Sequence, residues 1–348
     1  MTRVDDSDVL LTIDGNMPSD GLLRTSDAEM ELSGGFQGSV GRYFGCGRYA
    51  IIGTYWGLYP EEQSRYITAG PGQDLSSVLP WTIQNIGGGG PAGVPRGLDH
   101  PTRNGFDWYD MAEAHRITRS SEFHNAEVNF NWFALGGAAR AGEGDCGKYL
   151  TGPNAPWYGA QCSKLRFNLF AGLRYFRFGD NLEYATNQGD YVFNRNDDDF
   201  YYTNDVTNDL FGFQIGSLGQ LALGSRANLY AGSAFGIYNN KISADTRAGT
   251  DSQVATILSD NYSNGMAYDF SRSKNDVAFL GEGNVGIGYR VWRGWTANVG
   301  YRVVAVSGVA TAVGQIPYDF ANANEAAAIR NDRSLILHGG VFGMSYNF

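Results

Sequence analysis

Apolar and polar residues alternate with a period of two in nine separate stretches of this 348-residue chain, while helical spacing is scarce. Side chains on a strand point to opposite faces in turn, so this pattern calls for strands with two chemically different faces. In residues 28–44, Ala28, Met30, Leu32, Phe36, Val40 and Phe44 share one parity, against Glu29, Glu31, Ser33, Gln37 and Ser39. The other stretches are 48–58, 123–135, 164–178, 205–223, 226–239, 277–290, 295–309 and 335–348. The last ends in "GMSYNF", with Phe342, Met344, Tyr346 and Phe348 on one parity.

The longest nearly apolar run, 303–313, is interrupted by Ser307, Gly308 and Thr311. It falls far short of the roughly 18 to 20 apolar residues of a membrane-crossing helix. A barrel strand needs only about 10 residues, half of them facing a polar interior. The mildly polar mean hydropathy of -0.30 is compatible with that. A net charge of -10, with lysine only at 148, 164, 241 and 274, excludes a basic nucleic-acid-binding surface.

Alternation alone fits a barrel in lipid and a soluble sandwich equally well. Three patterns separate them. The connections near 45–47, 224–225 and 292–294 are short, whereas 59–115, 179–204, 241–276 and 310–334 are long. Running the last strand inwards puts every short turn on the periplasmic side, with 136–163 the one long periplasmic connection. Aromatic residues gather near strand ends, as at Tyr43, Phe44, Trp132, Phe133, Trp292 and Trp295, as an interfacial girdle requires. The expected fold is a single all-β domain over 1–348. It is an antiparallel transmembrane up-and-down β-barrel of about ten strands, within a range of eight to twelve, with long extracellular loops and short periplasmic turns.

Several stretches resemble the putative beta-barrel porin-7 family of bacterial outer-membrane proteins. They are "SGGFQGSVGRYFGCGRYAIIGTYWGLYP", "AEVNFN", "FNLFAGLRYFRFGDNLEY", "TNDLFGFQIGSLG" and "GIGYRVWRGWTANVGYRVVAVSGVATA", with the closing "GMSYNF". The pieces "GLRYFRF" and "NDLFGFQ" are the most specific. The resemblance implies an outer-membrane barrel of porin-like type and no catalytic residues. A terminal aromatic such as Phe348, with Phe342, Met344 and Tyr346, also resembles the signal read by the barrel-assembly machinery. Outer-membrane lipid is then the other expected partner.

Relatives usually begin with a signal peptide and an aromatic strand ahead of "SGG". Here residues 1–26 are acidic and polar and read as an irregular start. Nine strands leave an even-numbered barrel one short. The expectation is that Met1 is not the natural start, or that residues 9–13 stand in for part of the tenth strand.

The residues expected to face the lumen are Glu127, Asn129, Arg166, Arg174, Gln214, Glu282, Asn284, Arg290 and Arg302. Counting from the 292–294 turn places Glu282 and Arg302 at similar heights, and Glu127 and Arg174 likewise. Opposite charges there are expected to pair across strands, since an unpaired charge in a confined interior costs several kcal/mol. Such residues either line a charge-selective constriction or plug a narrow bore. The leading function is a porin-like passive channel or largely closed scaffold. The alternative is a non-conducting surface barrel binding through its outer loops.

Other motifs carry no chemistry. "GEGNVG" at 281–286 lies inside a strand and opens no helix, so it is no dinucleotide fingerprint. The glycines at 87–90 lack a following Lys-Ser/Thr. His100, His115, His124 and His338 share no metal spacing. "NDDD" at 196–199 reads as a solvated acidic turn rather than a calcium loop. No cofactor, metal or catalytic group is expected. Cys46, Cys146 and Cys162 are either buried thiols or one disulfide plus an odd partner, Cys146–Cys162 being the possible pair.

Overall fold

A computed structural model describes the chain except for residues 6–7, 18–20, 46, 80–109, 137–163, 188–189, 196–198, 225, 258–265, 293, 321 and 348. Fourteen strands run through the described residues. They are β1 (Thr2–Asp5), β2 (Leu10–Asp14), β3 (Gly21–Arg24), β4 (Gly35–Phe44), β5 (Tyr49–Thr68), β6 (Leu75–Ser77) and β7 (Asp110–Ala112). Then follow β8 (Ala114–Leu135), β9 (Leu165–Asn187), β10 (Asp199–Ala222), β11 (Ala227–Gly249), β12 (Asp269–Trp292), β13 (Trp295–Val309) and β14 (Arg333–Tyr346). Ten form one antiparallel sheet in the order β1-β14-β13-β12-β11-β10-β9-β8-β5-β4. The sheet curls on itself, because side chains far apart in this order meet: Arg3 of β1 touches Asp180 of β9, and Arg302 of β13 lies over Trp56 of β5. This is the wall of an up-and-down barrel.

Two expectations about the start change. The tenth strand is β1, whose Thr2–Asp5 pairs with Leu335–His338 of β14. Residues 9–13 do not stand in for it. Most of them belong to β2, in a second sheet ordered β3-β2-β6-β7. Residues 28–34 precede the strand instead of opening it. Ala28 and Met30 are buried in the interior, the first closing a 3-10 turn at Thr25–Ala28.

The long strands extend well past the stretches that alternate visibly. Strand β10 begins at Asp199 rather than 205, and β9 runs to Asn187 rather than 178. The cause is a change of face partway along each strand. In β10, Phe211, Phe213 and Ile215 are exposed on the outside, whereas Phe200, Tyr202, Val206 and Leu210 point inwards and are buried. In β9 the outer set is Leu165, Phe167, Leu169 and Leu173, and the inner set Phe176, Phe178, Leu182 and Tyr184. In β8, Val128, Phe130 and Trp132 lie outside, and Ile117 and Phe123 inside. Each strand therefore has an inner-end half with an apolar exterior and an outer-end half with an apolar interior.

That switch marks an exterior apolar belt. From Phe211 to Leu221 the belt follows β10 for roughly 33 Å at about 3.3 Å per residue. At a strand tilt of about 40° it stands roughly 25 Å tall, the height of a bilayer's apolar band. Its upper border is polar and aromatic: the Tyr55 hydroxyl meets His124 Nδ1 at 2.8 Å, and that of Tyr301 meets His338 Nδ1 at 2.6 Å. Phe44, Tyr49 and Phe130 cluster at the inner rim, where Trp295 and Tyr346 rings also lie 5.0 Å apart.

Candidate functional site

The interior is the part of the molecule where polar side chains converge, and it is built in layers. The lowest layer is a charged network set by inward-facing positions of β8, β9, β10, β12 and β13. Glu127 and Arg174 are register partners, but they do not form the expected ion pair. Arg174 reaches across the interior to Glu282, Nη1 to Oε2 at 2.9 Å. Glu282 also pairs with Arg302, Oε1 to Nε at 3.1 Å. In a curled sheet the nearest opposite charge lies across the bore, which strand-by-strand counting cannot see.

Gln214 holds the other half of the network. Its Nε2 donates to Glu127 Oε2 (2.5 Å) and Asn129 Oδ1 (2.9 Å), and its Oε1 accepts from Arg174 Nη1 (3.3 Å). Arg174 Nε donates to Asn125 Oδ1 (2.5 Å). The Arg174 side chain is 0% exposed and that of Glu282 11%. Two carboxylates thus face two guanidiniums with amides between them, so the buried charge is balanced, while Arg174 Nη2 and Asn125 Nδ2 find no hydrogen-bond partner.

On the side of the short turns this layer borders a polar cavity of about 200 Å³, lined by Asn131, Asn168, Asn284 and the network's own Glu127, Glu282 and Arg302, with Gln37 among others. Arg166, buried, and Arg290 sit nearer the inner rim. Above the network the bore is filled by apolar rings. Phe123 stacks on Phe178 at 5.0 Å, and Trp56 tilts against Phe176 at 5.9 Å.

The next layer centres on Asp180, which is fully buried. It accepts from Arg3 (2.5 and 3.1 Å), from Ser121 Oγ (3.1 Å) and from the Ala312 backbone N–H (2.8 Å). One carboxylate therefore ties together β1, the wall and the segment after β13. That segment does not extend outwards. At Gly308 (φ +76°) the β13 ladder slips by one residue and the chain turns into the bore. A Cβ there would lie 2.6 Å from the Val277 carbonyl oxygen, so glycine is required. Asn208 then brackets Ala310, donating to its carbonyl (2.8 Å) and accepting from its N–H (2.9 Å). Asn240 donates to the Gly308 carbonyl and Asn204 to that of Ala312, each at 3.1 Å. These amides satisfy backbone groups that water would otherwise have to reach.

The topmost layer is a hydrophobic core shared by wall, inserted segment and second sheet. It includes Leu11, Leu23, Leu182, Tyr202, Val313 and Phe320. Phe320 packs on Tyr202 at 5.3 Å and on Tyr268 at 5.8 Å. Thr12 of β2 is fixed to the wall by His115 Nδ1 (2.9 Å) and the Tyr184 hydroxyl (3.1 Å).

Sequence reasoning missed Arg3, Asn125, Asp180, Asn204, Asn208 and Asn240. The available signal was a polar residue on the inward parity of a strand whose apolar face had just switched. Asp199, within the acidic "NDDD", is buried and not solvated: it accepts from Asn187 Nδ2 (2.7 Å) and the Tyr201 hydroxyl (2.8 Å). Among the described residues no group of three or more His, Cys, Asp or Glu side chains is arranged to hold a metal. On the outside, Phe342, Met344 and Tyr346 are exposed on one face of β14. Phe348, Cys46, Cys146 and Cys162 lie outside the described residues.

The model of the family described as putative beta barrel porin-7 matches residues 115–348, the part of the chain that carries β8 to β14. The chain belongs to that family. No curated protein matches it in sequence. Family and fold together make it a porin-like β-barrel.

Proposed function

We propose that this protein is an outer-membrane barrel of the porin type whose passage is closed by its own side chains and by the segment after β13. The observation that carries this reading is that, among the described residues, side chains from Arg174 and Glu282 through Asp180 to Phe320 lie across the bore above the 200 Å³ cavity. A hydrated channel needs a continuous polar path. Here apolar rings and a hydrophobic core lie across it, and an apolar constriction stops ions by excluding water. The belt from Phe211 to Leu221 supports residence in the outer membrane, with membrane lipid around it. The exposed Phe342, Met344 and Tyr346 support recognition by the barrel-assembly machinery. The protein then works as a scaffold presenting the outer ends of its strands, with no catalytic group or cofactor.

Two measurements test this. The unboiled protein is expected to run faster than the boiled one on a detergent gel, as a closed barrel resists detergent unfolding. Reconstituted in a planar bilayer, it is expected to give no conductance steps. Steady, discrete steps from the native chain would refute closure.

A further inference from the structure

Three inward-facing glycines make the space of the polar cavity that borders the charged layer. A Cβ at Gly216 would run into the Phe170 ring, and one at Gly172 into Asn129 Oδ1. A Cβ at Gly232 would lie 3.0 Å from both Asn284 Oδ1 and Leu218. Without those carbons Phe170, Asn129 and Asn284 lie back against the wall and leave the cavity clear. Its polar groups are fixed one by another. Asn131 Nδ2 donates to the Asn129 carbonyl (3.1 Å), which settles the way the Asn131 amide faces. Asn131 Oδ1 then accepts from Asn168 Nδ2 (2.8 Å), which settles the Asn168 amide in turn. The chain ends at Asn168 Oδ1, an acceptor with no hydrogen-bond partner on a residue only 7% exposed. An unmet acceptor at that depth is costly, so the site calls for a donor.

Charge, size and flank select the occupant. Glu127 and Glu282 in the lining are already matched by Arg302 and by Arg174 behind them, so an added ion of either sign would lack a counter-charge. A wholly apolar solute would strand the amides. Water alone would meet Asn168 but would also wet Phe170 and Leu218, which line the same space. At about 200 Å³ the cavity is smaller than the roughly 300–1,000 Å³ of pockets for drug-sized ligands, so it takes one compact ring. Glu127, Asn284 and Arg302 are partly exposed, so solvent reaches it. We propose that this cavity binds a neutral monosaccharide. One hydroxyl donates to Asn168 Oδ1, the C–H face of the sugar ring lies against Phe170, and the register partners Asn284 and Arg302 meet other hydroxyls. The assignment depends neither on whether the bore conducts nor on the lipid around the belt.

The test is calorimetric titration of the full folded chain with glucose, galactose and mannose, and with glucuronate and glucosamine as charged controls. Saturable binding at one site per chain is expected from at least one neutral sugar, and about tenfold weaker binding or none from the two charged ones. Asn168→Leu removes the acceptor at similar size and is expected to weaken binding about tenfold. Ala234→Leu puts a larger side chain into the cavity lining and is expected to abolish it. Both variants should keep the native strand signal in circular dichroism. If either loses that signal, Phe170→Ala, which only deletes the ring, is expected to weaken binding about tenfold. No heat from any neutral sugar, unchanged affinity in a folded variant, or a charged control binding as tightly as the neutral sugars overturns the proposal.

Discussion

Replacing Glu282 by glutamine tests the central layer most directly. The carboxylate is the shared partner of Arg174 and Arg302, at 2.9 and 3.1 Å. Glutamine keeps the shape and removes the charge, leaving two guanidiniums facing one neutral amide. Breaking a buried pair by removing one partner costs about 3–5 kcal/mol. Arg174 contributes in full because it is enclosed by Asn125 and Gln214. Arg302 counts for less because it borders the cavity, as Glu282 itself does, and the pair can be screened there. The expected loss is therefore about 3–4 kcal/mol, or more than a hundredfold in the unfolding equilibrium. Urea unfolding in lipid vesicles, followed by tryptophan fluorescence, measures it. The double replacement R174M/E282L is expected to recover most of the loss, since apolar side chains of similar volume often substitute for a buried pair at little cost. Changing Asp276, whose pairing with Lys274 is solvent-exposed, to asparagine should leave the midpoint where it was. If E282Q is within about 1 kcal/mol of the parent, the layer is wet and the closure argument fails.

Three further outcomes follow from the same geometry. D180N removes the charge that holds Arg3 while keeping an acceptor for Ala312; it is expected to cost about 3 kcal/mol or more in the same assay, and a loss under 1 kcal/mol would mean water reaches that layer. G308V puts a branched side chain at φ +76° against the Val277 carbonyl oxygen; protease cleavage within 310–332 should rise at least tenfold in the folded protein, and an unchanged cleavage rate would show that the inward turn does not depend on this glycine. F213R, on the exterior apolar belt of β10, is expected to cost about 2–4 kcal/mol in a bilayer, and T207R, above the belt on the same parity, less than about 1 kcal/mol. Equal effects would place the belt elsewhere.

The inner half of the barrel was legible because an apolar exterior around a polar interior imposes a strict rule there. Every second residue from Leu165 to Leu173 or from Phe211 to Ile215 must be apolar, and the rule shows as period two in one dimension. Strand number, antiparallel order and turn positions followed from it, and β13 was found at its residue bounds. The inward set of Glu127, Arg174, Gln214, Glu282 and Arg302 followed too, since parity alone decides the face. Which charges pair was not legible. Glu127 and Arg174 stand opposite each other in register, yet Arg174 pairs with Glu282 three strands away, because curvature brings distant strands closer through the bore than along the wall.

The outer half was hidden for a different physical reason. Above the belt the exterior meets water and the interior becomes a core, so apolar residues move to the other parity at Phe176 and Leu210. A reading that follows one parity stops there and assigns the remainder to loops. The inserted segment is hidden for a related reason: Ala310 to Phe320 has neither strand nor helix period, and the amides that hold it lie on β10 and β11, about a hundred residues earlier. What the sequence determined by itself is a wall of strands with one half apolar on the outside, because that requirement is local and repeats every two residues. Only the tertiary structure decided that side chains of the described residues pack across the interior of that wall, because such packing depends on contacts between residues that no local period connects.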